Sequence, residues 1–128
     1  MTLIYHITSR DAALWARQTG EYRTESLAQD GFIHLSQHHQ ILSVANAFYA
    51  GKKELVILVV ETSRLKAKLK YEAPVHPSAS TSAAALSEDA RFPHLYGPLN
   101  LDAVVKAVNF PPLANGRFEL PAEISDQK

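Results

Sequence analysis

A histidine followed two positions later by a hydroxyl occurs twice near the start of the chain, in Leu3-Ile4-Tyr5-His6-Ile7-Thr8 and in Asp30-Gly31-Phe32-Ile33-His34-Leu35-Ser36. Side chains alternate along a β-strand, so His6 and Thr8 share one face of the first segment. Phe32, His34 and Ser36 share one face of the second, with Ile33 and Leu35 behind them. Polar groups on a buried face must find partners, because leaving one bare costs about 1–3 kcal/mol. Side by side, the two strands make a polar floor of His6, Thr8, His34 and Ser36. Two readings stand: a ligand site, or core histidines satisfied by main-chain carbonyls. The same spacing returns in Phe92-Pro93-His94-Leu95-Tyr96-Gly97-Pro98-Leu99, where His94 and Tyr96 share a face. His34, His38 or His39, and His94 supply imidazoles for zinc. No His-Glu-x-x-His spacing accompanies them, so no metal site is expected.

The elements that position these residues follow from the hydrophobic pattern. Ser9 or Thr8 caps a helix over residues 10–19, closed by Gly20, with Ala12, Trp15, Ala16 and Thr19 on one stripe and Trp15 as a core anchor. The polar connection at 21–27 carries Arg23, a residue suited to bidentate contacts with phosphate or carboxylate. Ser36 can cap a second helix over 37–49, whose stripe is Ile41, Val44, Ala45 and Phe48. Lys52-Lys53 reads as a solvated turn. Residues 54–61 are apolar on both faces, which marks a central strand. A shorter strand is expected at 69–72, another at 103–110, and a hairpin turn at Asn115-Gly116 before Phe118. Residues 73–91, rich in Pro, Ser and Ala and holding His76, read as a long lid or surface loop.

The 128 residues suit one domain, placed at 1–121, with a fraying tail at 122–128. Thirteen basic and thirteen acidic side chains balance, so no global field draws nucleic acid or an anionic membrane. The absence of cysteine excludes disulfides and thiolate chemistry. No apolar run nears the ~20 residues of a membrane helix, and the N-terminus enters a strand directly, which makes a cytoplasmic protein the expectation.

The segments at residues 4–8, 20–23, 31–36 and 92–99 together resemble the bacterial family catalogued as domain of unknown function 952, over about residues 4–118. More distantly, the order Tyr-His-x-Thr, helix, Ile-His-Leu-Ser resembles the RNA 2′-phosphotransferases and the wider ADP-ribosyltransferase superfamily. That resemblance implies an α+β fold with a split, mainly antiparallel sheet, two N-terminal helices and NAD held in the split. His6 and Thr8 would contact the NAD riboses, while His34 and Ser36 would line the nicotinamide ribose. Beside that carry-over, Arg23 and Tyr96 are candidate cofactor-binding residues and His94 a candidate catalytic residue. The implied function is NAD-dependent transfer of an ADP-ribosyl or 2′-phosphate group. Its alternatives are a module that binds a nucleotide or phosphorylated metabolite without turnover, and a histidine metal site. Glu61 and Glu72 are the candidates for the glutamate that many such transferases use. An RNA substrate is not favoured, because the chain lacks the basic footprint that phosphate contacts require.

Overall fold

The computed structural model describes residues 2–73 and 90–125; residues 74–89, which include His76 and nearly all of the expected lid, lie outside the described residues. The chain folds as mixed α+β with mainly antiparallel sheets. In order, the elements are β1 (Leu3–Ser9), α1 (Arg10–Thr19), β2 (Glu21–Tyr22), α2 (Glu25–Asp30), β3 (Ile33–His34), α3 (Ile41–Phe48), β4 (Leu55–Glu61), β5 (Lys68–Glu72), β6 (Phe92–Tyr96), β7 (Leu99–Asn100), β8 (Val104–Asn109) and α4 (Ala122–Ser125).

One antiparallel sheet has the order β1-β4-β8 and another the order β3-β6-β5, while β2 and β7 form a short ribbon. β4 is central, as its two apolar faces require. Val56, Leu58 and Val60 point into a core with Ile4, Ala16, Ile33, Leu95 and Leu99. Leu55, Ile57 and Val59 point into a second core with Tyr5, Ile41, Ala45, Phe110 and Phe118. The sheet therefore divides two cores, and the odd and even residues of one strand serve both.

α1 follows its caps as expected: Ser9 accepts from the Ala12 N–H at 3.0 Å, and Gly20 closes the helix in the left-handed conformation. Trp15, however, is 68 % exposed. The buried line of α1 runs through Ala16, with Ala12 and Ala13 packed alongside, and Trp15 falls about 100° from Ala16 on the outer flank. The polar connection after Gly20 is more structured than its composition suggests. It holds β2 and then α2, capped by the Thr24 hydroxyl on the Leu27 N–H at 3.2 Å and ended by Gly31 at φ 87°. α3 is shorter than expected and begins at Ile41, with Gln40 rather than Ser36 before it.

At the C-terminus the chain turns at Asn115-Gly116 without forming a further strand, and Phe118 stacks on Phe110 with centroids 4.6 Å apart. Ile124, placed in the fraying tail by its sequence, is fully buried in the second core. α4 is held there by the Lys106 ammonium on the Glu123 carbonyl at 2.9 Å and by the His38 ring on the Ile124 carbonyl at 2.7 Å.

Candidate functional site

β1 is paired with β4 along its full length, from Leu3 opposite Glu61 to Ser9 opposite Leu55. Its other edge meets the second sheet through a single bridge, with the Tyr5 N–H donating to the Ser36 carbonyl at 2.8 Å and the Ser36 N–H to the Tyr5 carbonyl at 2.7 Å. Among the described residues no ladder continues past this bridge, so the sheet is split between β1 and β3. A cavity of about 740 Å³ occupies the split, within the range usual for small-molecule sites, ~300–1,000 Å³. Its polar floor is His6, Thr8, Tyr22, His34, Ser36 and His94, and α3 supplies an apolar wall of Val44, Ala47 and Phe48.

Across the floor runs a chain of hydrogen bonds. His6 Nδ1 lies 2.6 Å from the His34 carbonyl, His6 Nε2 lies 2.8 Å from the Tyr22 hydroxyl, and that hydroxyl lies 2.7 Å from Thr8 Oγ1. A carbonyl only accepts, so His6 carries its proton on Nδ1 and presents a bare Nε2 to Tyr22. Tyrosine has one proton and His6 Nε2 claims it, so Thr8 donates to the Tyr22 oxygen. Burial holds His6 neutral by lowering its pKa to about 4, and pushes Tyr22 up to about 12. The relay of His6, Tyr22 and Thr8 is thus wired but uncharged.

On the far lip, the register of the second sheet sets His34 opposite His94 and His94 opposite Lys70. The two imidazoles lie edge to face with centroids 5.5 Å apart. Phe32 stacks on His94 at 4.1 Å. His94 Nδ1 donates to Glu72 Oε1 at 2.9 Å, and the Tyr96 hydroxyl donates to the same oxygen at 2.5 Å. These two donors hold the Glu72 carboxyl below its ordinary range, while burial lowers the pKa of His94. No buried side-chain nitrogen or oxygen among the described residues lacks a partner. His94 is only 1 % exposed; its ring lines the cavity, and its Nε2 makes no hydrogen bond to a described residue. His34, the most open of the three, has its Nε2 at 3.2 Å from Asp30 Oδ2 at the end of α2.

Of the residues expected at the site, His6, Thr8, His34, Ser36 and His94 line the one cavity. Arg23 does not: its guanidinium is tied to Glu21 at 2.7 Å and largely exposed. Tyr96 stands one layer behind, on Glu72. Glu61 is also outside, bound to Ser63 and Arg64. The imidazoles of 38 and 94 serve different places, His38 against Tyr5 and the Ile124 carbonyl. Among the described residues no group of three or more His, Asp or Glu side chains is placed to hold a metal ion. Phe48, expected on the buried stripe of its helix, is instead 53 % exposed at the cavity wall, and the lining residues that sequence reasoning did not place at a site are Tyr22, Glu25 and Lys52. Tyr22 sits within the 20–23 segment and so had a signal. Glu25 and Lys52 had none, because their role depends on where two turns end in space.

The family model described as "Protein of unknown function (DUF952)" matches residues 7–107. The X-ray structure of protein CC0527 from Caulobacter crescentus is similar at 35 % identity over 93 % of this chain and 95 % of that one, with a TM-score of 0.76. The solution NMR structure of CC0527 is similar at 34 % identity over 98 % of both chains, with a TM-score of 0.75. No curated protein matches. Sequence motifs, family model and solved relatives agree along nearly the whole length, and the chain belongs to the DUF952 family of proteins of unknown function.

Proposed function

We propose that the cleft binds NAD and transfers its ADP-ribosyl group to an oxygen nucleophile. The observation that carries this reading is the convergence of three imidazoles, from strands far apart in sequence, on one cavity in the split of the sheet, with one ring backed by a carboxylate. In that arrangement Glu72 fixes the Nδ1–H tautomer of His94 and leaves Nε2 as a base. A depressed pKa keeps this base unprotonated at neutral pH.

The reaction then balances without a further reagent. The bond between the ribose anomeric carbon and the nicotinamide nitrogen breaks, and its electron pair leaves with nicotinamide, which departs uncharged. The acceptor oxygen bonds to the anomeric carbon and gives its proton to His94 Nε2. Positive charge builds on the sugar in between, so the neutral, hydrogen-bonded floor of His6, Tyr22 and Thr8 orients the ribose without adding a competing charge.

The test is release of free nicotinamide from NAD by the purified protein. Steady release that falls at least a hundredfold in His94→Gln supports transfer. Saturable binding of ADP-ribose with no nicotinamide released would instead establish a binding module.

A further inference from the structure

The lining of the cleft holds few permanently charged side chains. Among its described residues Lys52 is the one lysine or arginine and Glu25 the one carboxylate, and burial holds His6 and His94 on the neutral side. The other cations of this end are committed elsewhere. Arg10 pairs with Glu54, Arg23 pairs with Glu21, and Lys53 turns away into a second cavity of about 410 Å³ with Arg10 and Glu54. Lys52 forms no ion pair among the described residues; its ammonium lies 5.4 Å above the ring of Tyr49.

The turn that carries Lys52 is pinned. Its N–H donates to the Tyr49 carbonyl at 2.9 Å, and the Gly51 N–H donates to the Gly116 carbonyl at 2.8 Å. Gly51 takes φ 78°, a conformation that glycine adopts without strain, and so reverses the chain at the cavity rim. Two adjacent lysines are thereby sent into two different hollows. An isolated ammonium beside an apolar, aromatic wall is the pattern that selects a ligand with one anionic and one flat apolar part.

We propose that Lys52 is the phosphate-binding residue of the cleft, and that its ligand is a nucleoside phosphate lying with its phosphate at the turn between α3 and β4 and its base along Val44, Ala47 and Phe48. This assignment rests on the reading that the cleft takes a nucleotide, but it does not depend on turnover. It gives the ligand a direction: with the phosphate fixed at Lys52, the sugar extends across the split toward His34, Ser36 and His94. Glu25 disfavours the reversed placement, which would bring phosphate beside a carboxylate.

The test compares AMP with adenosine, identical except for the phosphate, by calorimetric titration of the wild-type protein and Lys52→Gln. The wild type should bind AMP more tightly than adenosine. Lys52→Gln should weaken AMP about ten- to a hundredfold and leave adenosine unchanged, because only a charge-assisted contact has been removed. Four results overturn the proposal: no binding of either compound to the wild type, no preference for AMP, a variant that binds both as before, or a variant that loses both equally. Absence of nicotinamide release from NAD, with the AMP preference intact and lost in Lys52→Gln, would refute the transferase and leave this assignment standing.

Discussion

His6 is the residue on which the cleft's chemistry and the fold's stability meet. Its pKa of about 4 in the folded protein compares with the ordinary 6.5 of an exposed imidazole. Between those values the unfolded chain binds a proton that the folded chain refuses, so stability falls as pH drops from about 6.5 to about 4. The full shift corresponds to roughly 3 kcal/mol. His94, also depressed, acts in the same direction. Glu72, held below its ordinary range, adds a loss as pH falls below about 4.5. Urea unfolding at pH 7.5, 5.5 and 4.0 should show this decline in the wild type and a shallower one in His6→Gln; equal slopes would contradict the assignment.

Tyr22→Phe tests the same wire without changing charge. It strips His6 Nε2 and Thr8 of their shared partner and should cost about 1–3 kcal/mol in urea unfolding. A loss below about 0.5 kcal/mol would mean that the hydroxyl does not bridge them. At this scale much was legible in the sequence. The spacing of two residues in His6-Thr8, His34-Ser36 and His94-Tyr96 is a rigid consequence of strand geometry. Arg23 misled because its charge is taken by Glu21, a partner only two residues away that composition does not distinguish from solvent.

The elements were legible where one period dominates and obscure where side chains from different elements meet. β4 declared itself central through a continuous apolar run, and α1 through its caps. The Glu72–His94–Tyr96 cluster could not be read from the chain, since it depends on the register of β5 against β6. Trp15 shows the opposite failure: a helical stripe drawn one position too wide assigns an exposed ring to the core.

The link between β6 and β7, where it passes the residue before β5, carries a further prediction. At Gly97, the motif residue after β6, an added Cβ would stand 2.7 Å from the Cβ of Ala67. Gly97→Ala should therefore overpack this junction and lose about 1–3 kcal/mol, read as a lower urea midpoint. An unchanged midpoint would show that the backbone yields there. The second core makes a matching demand at the C-terminus. Ile124→Ala should cost about 2–5 kcal/mol, as for other fully buried aliphatic residues. A negligible cost would return α4 to the fraying tail that the sequence suggests.

Across the whole molecule, the two cores divided by β4 form the scaffold, and the split between β1 and β3 is where that scaffold leaves space. A sheet held together by one bridge at Tyr5 and Ser36 can open a cavity without exposing a strand ladder, because His6 reaches over the gap to bond the His34 carbonyl. The balance of thirteen basic and thirteen acidic residues conceals this arrangement, since a neutral relay of His6, Tyr22 and Thr8 and one lysine at the rim leave no mark on net charge.

The most direct measurement is a calorimetric titration of ADP-ribose into the wild-type protein and into His34→Ala, with urea unfolding of both. The account predicts saturable binding to the wild type, weakened at least tenfold in His34→Ala, with the unfolding midpoint nearly unchanged because His34 is a half-open residue on the lip of the split. Failure of the wild type to bind, or a variant that binds as well as the wild type or unfolds outright, would contradict it.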